Sequence, residues 1–234
     1  MSDSSQPVLE MRNVTCGADG HALPRLSLRL DAGVFHLLTG GPAEQRTALL
    51  RVIGLLDAPE CGEIILESRK LAALADSERD DLRNQRCGFL FASPFLLPSF
   101  SVVENVAMPL FKISHFSAAQ ARERTDLLLD FVGLTAESQQ PVEGLTAFQQ
   151  HAVSLARALA NDPAVITVEN LDTALGPEDY AGFTALLRQS CARFDVAVIA
   201  SVSGDFLFEP GDRVLAIDAA GVVRDSIMEG KPLS

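Results

Sequence analysis

The sequence has few of the residues that mark several common classes of protein. It contains no tryptophan, one tyrosine and only four cysteines among its 234 residues. The cysteines are widely spaced and form no C-x-x-C pair, which argues against a zinc site and against a thiol redox motif. We therefore expect free, buried thiols in a reducing compartment.

Basic residues are also scarce, with 19 Lys and Arg against 31 Asp and Glu and a net charge of −12. A nucleic-acid surface needs a basic patch, so this balance argues against a nucleic-acid partner. No run approaches the roughly 18 apolar residues that a membrane span needs. The polar, acidic start, MSDSSQPVLE, is unlike a secretory signal. We expect a cytoplasmic chain that reaches a membrane only through another protein.

The sequence does have short apolar runs that alternate with helical patterns, and 47% of its residues are hydrophobic. The predicted strands are Val8–Val14, Leu26–Leu30, Val34–Leu38, Glu63–Leu66, Gly88–Phe91, Ala164–Val168, Val196–Ser201 and Val214–Ile217. The predicted helices are Thr47–Leu56, Ser77–Gln85, Ala118–Val132, Phe148–Ala160 and Glu178–Arg193. Ser117 and Gly133 fit the two caps of the third helix. Strands that are apolar throughout are typical of a sheet covered on both faces, so the pattern predicts an α/β fold with a mostly parallel sheet.

The segment TGGPAEQRTALL, Thr39–Leu50, lies between a predicted strand and a predicted helix, where phosphate-binding loops occur. The pattern of such a loop is G-x-x-x-x-G-K-[ST]. Gly40 fits its first glycine and Thr47 its last hydroxyl, but Gln45 replaces the second glycine and Arg46 the lysine. The segment is either a nucleotide-binding loop or a strand–turn–helix that has kept the shape and lost the ligand.

Three longer stretches carry a resemblance to a known family: LLRVIGLLDAPECGEIIL (Leu49–Leu66), LRNQRCGFLFASPFLLPSFSVVENVAMPL (Leu82–Leu110) and VSLARALANDPAVITVEN (Val153–Asn170). In their order and spacing they resemble the ATP-binding subunit of an ABC transporter, in the lipoprotein-release and macrolide-efflux branch. The resemblance implies one domain over 1–234 with a P-loop NTPase (RecA-like) core at about 1–92 and 161–234. It also implies an antiparallel β layer near the N-terminus and a helical subdomain at about 93–160.

The resemblance assigns phosphate binding to Gly40, Gly41, Arg46 and Thr47, with Thr47 also a magnesium ligand. Such a loop binds phosphate because successive backbone N–H groups converge on it, and glycine readily adopts the left-handed conformations that this requires. A left-handed Gln45 would cost about 1–2 kcal/mol. Arg46 keeps the charge of lysine without its compact ammonium group. We expect a vestigial loop, with no tightly bound cofactor and with ATP and Mg²⁺ as its only candidate ligands.

Four further positions of the family's machinery carry other residues here. The adenine-stacking aromatic, the Q-loop glutamine and the switch histidine map to Ala18, Ala92 and Val202. The Walker B strand ends in Glu169, which could still serve magnesium, and in Asn170, which replaces the catalytic glutamate. An amide is neutral and cannot activate water as a base. The resemblance therefore implies that neither Asn170 nor Val202 is catalytic.

The signature motif LSGGQ maps to LTAFQ. Thr146 replaces the serine, Ala147 and Phe148 replace the two glycines, and Gln149 is kept. In the family this motif presents a helix N-terminus to the γ-phosphate of an ATP held by the partner subunit. Phe148 would place a ring where that approach occurs. The alternative, which we prefer, is an ordinary core or interface aromatic.

The segment FLLPSFSVVENVAMPL, Phe95–Leu110, keeps a strongly apolar character. In the family this segment lies beside the groove that receives a coupling helix of the membrane subunit. The resemblance assigns docking to Phe95, Leu96, Leu97, Val102, Val103 and Met108. Ordinary apolar packing within the chain is the alternative.

These positions lead to three hypotheses. The first is a degenerate, non-hydrolysing ABC-type subunit that docks on a membrane permease as a structural or regulatory component, with another ATP-binding subunit as a further candidate partner. The second is an active ABC ATPase that couples hydrolysis to export or lipoprotein release. The third is a soluble interaction module that retains the fold. We prefer the first, and expect the chain on the inner face of the cytoplasmic membrane.

Overall fold

The computed structural model describes residues 7–16, 23–112, 116–170, 175–203, 208–218 and 223–227. Its strands are β1 (Leu9–Cys16), β2 (Leu23–Leu30), β3 (Phe35–Gly40), β4 (Cys61–Leu66), β5 (Arg69–Lys70), β6 (Cys87–Leu90), β7 (Val165–Val168), β8 (Ala197–Ser201), β9 (Arg213–Ile217) and β10 (Val223–Ile227). Its helices are α1 (Ala43–Ile53), α2 (Asp76–Arg86), α3 (Val102–Lys112), α4 (Ala118–Phe131), α5 (Ala147–Leu159) and α6 (Pro177–Phe194).

A six-stranded sheet forms the centre of the fold, with the strand order β10-β9-β3-β8-β7-β6. Neighbouring strands from β9 to β6 pair in parallel, and β10 pairs antiparallel with β9 at one edge. This confirms the predicted α/β class with a mostly parallel sheet. A second sheet of four strands, β2-β1-β4-β5, is antiparallel and comes from the N-terminal part of the chain, as the resemblance implied.

The hydrophobic core lies in two clusters on opposite faces of the parallel sheet. Leu37 and Val198 enter the cluster that contains residues of α3, α4, α5 and α6. Their neighbours Leu38 and Ile199 enter the other cluster, with α1 and the four-stranded sheet. Successive side chains of a strand point to opposite faces, so a strand buried between two layers is apolar at most of its positions. This is why these runs are continuous in the sequence.

Several elements differ from their predicted bounds. Helix α1 begins at Ala43, four residues before the predicted start, because Ala43, Glu44, Gln45 and Arg46 are all good helix formers. Strands β5 and β10 and the separate helix α3 were not predicted. β10 is polar and mostly exposed at a sheet edge, so it lacks the apolar run of a central strand. Within the described ranges, no helix is both long and apolar enough to cross a bilayer.

Candidate functional site

The carboxyl ends of four parallel strands, β3, β6, β7 and β8, meet at one edge of the central sheet. Hydrogen bonds join the residue after one strand to the neighbouring strand: the Glu169 N–H, after β7, donates to the Leu90 carbonyl of β6 at 2.9 Å, and the Val202 N–H, after β8, donates to the Leu38 carbonyl of β3 at 3.0 Å. Ligands of α/β sheets bind at this edge. The structure thus brings the predicted phosphate loop, Walker B and switch positions together.

The turn after β3 depends on two glycines. Gly40 and Gly41 have φ values of 72° and 58°, a left-handed backbone that glycine adopts at little cost. A Cβ on Gly40 would lie 2.3 Å from the Ile217 carbonyl oxygen of the neighbouring β9, so no larger residue fits there without movement. Both glycines are therefore required by the turn itself.

Helix α1 extends into the predicted phosphate loop. Gln45 lies inside this helix and has no left-handed backbone, so the expectation of a strained Gln45 is wrong. The backbone N–H groups of Gln45 and Arg46 donate to the Pro42 carbonyl at 3.1 and 3.3 Å. The segment is a strand–turn–helix, as expected, and these amides lie in the first turn of its helix.

The Arg46 side chain folds back under this turn and is only 5% exposed. Its Nη1 donates to the carbonyl oxygens of Gly40 at 2.9 Å and Gly41 at 2.8 Å. Its Nη2 donates to the hydroxyl of Ser203, just beyond β8, at 2.6 Å. Arg46 therefore links the turn after β3 to the segment after β8.

Glu169 and Thr47 lie on facing elements, after β7 and on α1. Burial raises the pKa of the Glu169 carboxyl above its ordinary value, and the charge of nearby Arg51 opposes that shift. Thr47 is half-buried and lies one helical turn before Arg51 on α1. The described part of the chain contains no group of three or more His, Cys, Asp or Glu side chains that could hold a metal ion.

Asn170 and Val202 occupy the two positions that the resemblance associates with water activation. Asn170 has a left-handed backbone, with φ of 45°, and its N–H donates to the Ser201 hydroxyl at 2.9 Å. Val202 is buried in the core that contains α5 and α6. Neither side chain can accept a proton from water at neutral pH.

The signature segment forms the start of α5. The Gln149 N–H donates to the Thr146 hydroxyl at 3.2 Å, and the Thr146 N–H donates to the Gln149 side-chain oxygen at 3.0 Å. In this reciprocal capping box, two backbone N–H groups at the start of α5 donate to side chains of the same segment. Ala147, the first residue of α5, is exposed between them.

The Phe148 ring is directed into its own chain. It packs edge-to-face on Phe183 of α6, with the ring centroids 6.1 Å apart, and its edge lies 3.4 Å from the position that a Cβ on Gly182 would occupy. One edge of the Phe148 ring is therefore committed to the contact between α5 and α6. The preferred alternative, an aromatic packed against the core, is confirmed.

Sequence reasoning missed the residues that fix the Q-loop position. Each ring nitrogen of the buried His151 faces a carbonyl oxygen: Nδ1 lies 2.9 Å from Ala147 and Nε2 lies 3.3 Å from Ala92. His151 thus joins α5 to the segment after β6 through the backbone of Ala92. The only signal in the sequence was a histidine within an apolar helix, which does not reveal its partners.

The predicted docking residues divide between surface and core. Phe95 is 66% exposed, and Arg157 donates to its carbonyl at 3.0 Å. Leu96, Leu97, Val103 and Met108 are half-buried. Val102 is 0% exposed in the helical core, so its side chain has no surface to offer a partner, and we omit it from the docking surface below. The buried Asn105, which sequence reasoning also missed, bonds to the backbone of Leu97, Phe100 and Ser101.

The predicted position of the adenine-stacking residue, Ala18, lies outside the described residues.

Comparisons with known proteins agree with this architecture. The family model described as ABC transporter matches residues 23–170. The lipoprotein-releasing system ATP-binding protein LolD 1 of Chlorobium chlorochromatii is 36% identical over 171 residues, which cover 71% of this chain and 70% of that protein. The corresponding LolD of Saccharophagus degradans is 30% identical over 200 residues, or 83% of this chain and 87% of that protein.

A solved structure supports the same relationship. A dimeric ATP-binding cassette in a post-hydrolysis state, bound to ADP and Pi, has a TM-score of 0.76 at 27% identity and covers 95% of this chain and 100% of that chain. The matched family model, the two relatives and the shared arrangement of strands around one sheet edge lead to one conclusion. The chain belongs to the ABC transporter family, as one of its ATP-binding domains.

Proposed function

We propose that this chain is an ABC-type subunit that does not hydrolyse ATP and that docks on a membrane permease as a structural or regulatory component of a transporter complex. The observation that carries the proposal is the buried Arg46 guanidinium. Its bonds to the carbonyl oxygens of Gly40 and Gly41 hold it beneath the turn, where Arg46 is only 5% exposed to a ligand.

The groups around this turn do not suit a nucleotide phosphate. A phosphate loop directs unengaged N–H groups inward. The N–H groups of Gln45 and Arg46 are engaged by Pro42. The positive charge of Arg51 acts on Glu169, where a magnesium ion would compete with it. Asn170 supplies no base for water activation.

The apolar surface of the helical part supports docking. We propose that residues 93–160 form a subdomain and that 1–92 and 161–234 form the nucleotide-binding core, since α3, α4 and α5 all fall in the first range and share one core. We define the docking surface as Phe95, Phe100, Val103, Met108 and Phe111. Four of these line a groove of about 540 Å³ between α3 and α4, and Phe95 is exposed nearby.

The names of the relatives point to the kind of partner. LolD proteins are described as ATP-binding proteins of a lipoprotein-releasing system. By analogy, this chain would attach to a permease at the inner face of the cytoplasmic membrane. A second ATP-binding subunit would be the other candidate partner.

Steady-state phosphate release tests the catalytic half of the proposal. The purified chain and the complex that copurifies with it are assayed beside the Saccharophagus degradans relative, prepared in the same way. We expect no release above the buffer background from the chain alone. Turnover comparable to that of the relative would overturn the proposal in favour of an active ATPase.

Affinity purification from detergent-solubilised membranes, with mass spectrometry of the bound proteins, tests the docking half. We expect a permease to copurify, and we expect Phe95→Asn and Phe111→Ser to reduce its recovery. Asparagine tolerates the left-handed backbone of position 95. Ile227→Ser is the matched control, because Ile227 is 65% exposed on β10, outside the docking surface. Equal recovery with all three variants, or no permease at all, would contradict docking at this surface.

A further inference from the structure

The β6–α3 connection, residues 91–101, contains neither helix nor strand and carries the exposed Phe95 of the docking surface. Side chains of the neighbouring helices hold its backbone. Arg157 of α5 donates to the carbonyl oxygens of Pro94 at 2.8 Å and Phe95 at 3.0 Å. Asn105 of α3 bonds to the backbone at the other end of the connection. The position of this backbone therefore depends on polar side chains that lie outside it.

His151 of α5 contacts the start of the same connection. It is 5% exposed, and its Nε2 lies 3.3 Å from the Ala92 carbonyl oxygen. Its Nδ1 lies 2.9 Å from the carbonyl oxygen of Ala147 on its own helix. A carbonyl oxygen accepts hydrogen bonds and cannot donate them. Both contacts are therefore hydrogen bonds only when both ring nitrogens carry a proton.

The two protonation states of this ring differ in what they can bond. A neutral imidazole has one N–H, so its other nitrogen would direct a lone pair at a carbonyl oxygen. An imidazolium donates from both nitrogens, and hydrogen bonds from a charged donor are shorter and stronger. The contact with Ala147 is the shorter of the two and lies within the helix, so we expect the neutral ring to keep its N–H at Nδ1. The contact with Ala92 is then the one that is lost.

Few described groups around the ring can change their charge. The β6–α3 connection itself, residues 91–101, contains no Asp, Glu, His, Lys or Arg. Helix α6 brings Phe183 edge-to-face with the ring at 5.9 Å and, one turn earlier, the buried Tyr180. Glu169 follows β7 and is joined through its N–H to the end of β6, and Arg157 lies further along α5. His151 is therefore the group through which protons act most directly on this connection.

We infer that His151 is a proton-controlled link, in which the protonated ring joins α5 to the β6–α3 connection and the neutral ring releases Ala92. The link is present when the pH is low enough to protonate the ring, and it is lost as the pH rises. Histidine ordinarily changes its charge between about pH 5 and pH 8, so the change falls in that range. One consequence rests on the proposed function: protonation would fix the backbone that presents Phe95 to a permease.

The test uses the whole chain at about pH 5.5 and about pH 8. NMR of ¹⁵N-labelled histidine reports which ring nitrogens of His151 carry a proton. Hydrogen–deuterium exchange, corrected for the intrinsic effect of pH, reports the protection of peptides covering 91–97. The variants are His151→Gln, whose amide can donate at the position of Nε2 at any pH, and His151→Asn, whose shorter amide stays near Nδ1. His36→Gln is the matched control, because His36 is also buried but bonds to Val34 and Val198 instead.

For the unmodified chain we expect both ring nitrogens of His151 protonated at the lower pH and only Nδ1 protonated at the higher pH. Protection of 91–97 should fall about tenfold between them, as for loss of one hydrogen bond from a charged donor. His151→Gln should give the same protection at both pH values, and His151→Asn should give the lower protection at both. The control should keep the tenfold change. If the His151 variants do not fold, NMR and exchange of the unmodified chain still decide the question.

Three results would overturn the inference. One is a His151 ring with an unprotonated nitrogen at both pH values. Another is a ring that titrates while the protection of 91–97 stays constant. The third is the same pH-dependent protection in the unmodified chain and in both His151 variants. None of these readouts is ATP hydrolysis or permease recovery, so failure of the inference and failure of the proposed function are distinguishable.

Discussion

The backbone conformation of Asn170 suits an asparagine better than a glutamate. Its backbone has φ of 45°, and asparagine adopts this conformation more readily than most residues do. Glutamate at this position would have to adopt the same backbone, at a cost of about 1–2 kcal/mol. Restoring the carboxylate of the family is therefore not a neutral exchange here.

We predict that Gln45→Gly combined with Arg46→Lys does not restore ATP hydrolysis, and that adding Asn170→Glu also fails. Gln45 lies inside α1, where glycine costs about 1 kcal/mol relative to a good helix former. Lysine cannot reproduce the planar fork of Arg46. Phosphate release is measured after circular dichroism has verified folding. Turnover near 1 s⁻¹ from the double variant, in the ordinary range of enzymes, would contradict this prediction.

His36, near the start of β3, is a buried base. Its Nδ1 lies 3.2 Å from the Val34 carbonyl and 3.3 Å from the Val198 carbonyl. Burial, reinforced by the charge of Arg213, lowers its pKa from 6.5 to about 4. Between these two values the unfolded chain binds the proton and the folded chain does not. The contribution of neutral His36 is therefore fully present above about pH 6.5 and is lost as the pH falls toward 4.

We predict that His36→Gln flattens the dependence of stability on pH in this window. The shift corresponds to roughly 3 kcal/mol of lost stability by the time the pH has fallen below the folded pKa. Urea unfolding of both proteins at a series of pH values from neutral to about 4 measures the difference in slope. This comparison does not depend on whether the substitution itself destabilises the chain. Parallel curves would show that His36 is not the group responsible.

At the scale of elements, α5 and α6 are joined by aromatic packing where the family has a glycine-rich signature. Both Phe148 and His151 lie edge-to-face against Phe183, which is fully buried, with centroid distances of 6.1 and 5.9 Å. Such pairs add about 0.5–1.5 kcal/mol beyond area burial. Phe148, a substituted signature residue, and His151 therefore stabilise the packing of the two helices.

We predict that Phe148→Ala lowers the free energy of unfolding by roughly 1–3 kcal/mol, below the range for a fully buried phenylalanine because Phe148 is half-buried. Phe111→Ala is the control, since Phe111 is 66% exposed on α3 and should lose less than about 0.5–1 kcal/mol. Chemical denaturation of both variants decides this. An equal loss in both would show that the Phe183 contact does not stabilise the fold.

At the scale of the whole molecule, the candidate site lies at the carboxyl ends of the parallel strands of the central sheet. The helical part carries most of the large exposed apolar side chains among the described residues. We predict that the intact chain binds Mg-ATP with a Kd above about 1 mM, which corresponds to less than roughly 4 kcal/mol of binding free energy. The reason is that the N–H groups of Gln45 and Arg46 already donate to the Pro42 carbonyl. Isothermal calorimetry measures this directly, and micromolar affinity would contradict it.

The same reasoning extends to an assembled transporter. The resemblance implies that each composite site pairs one subunit's phosphate loop with the other's signature motif. Here Gln45 and Arg46 replace family residues in the first, and Ala147 and Phe148 replace them in the second. We predict that any coupled transport is powered by other ATPase subunits, or is not driven by ATP. The test is a reconstituted complex in which the phosphate-loop lysine of an intact ATPase partner facing this chain is substituted. If the complex contains only that one pair of ATP-binding subunits, loss of robust turnover on this substitution would refute the prediction.

The sequence by itself determined the elements whose signals are local. The doubly buried strands were predicted from continuous apolar runs, and the caps of α4 at Ser117 and Gly133 were predicted from residue type, because a hydroxyl N-cap and a left-handed glycine act within a few residues. The order of these segments also sufficed for the family. The polar edge strand β10 was missed because its partner, and not its composition, makes it a strand.

Only the tertiary structure decided what the altered residues do. Arg46 could have faced a ligand, yet its acceptors at Gly40 and Ser203 lie 6 and 157 residues away along the chain. Phe148 could have faced a partner subunit, but it packs on Phe183 instead. The direction of a side chain depends on which acceptors and which apolar surfaces the folded chain brings within reach. Neither is present in the local pattern of residues from which the sequence is interpreted.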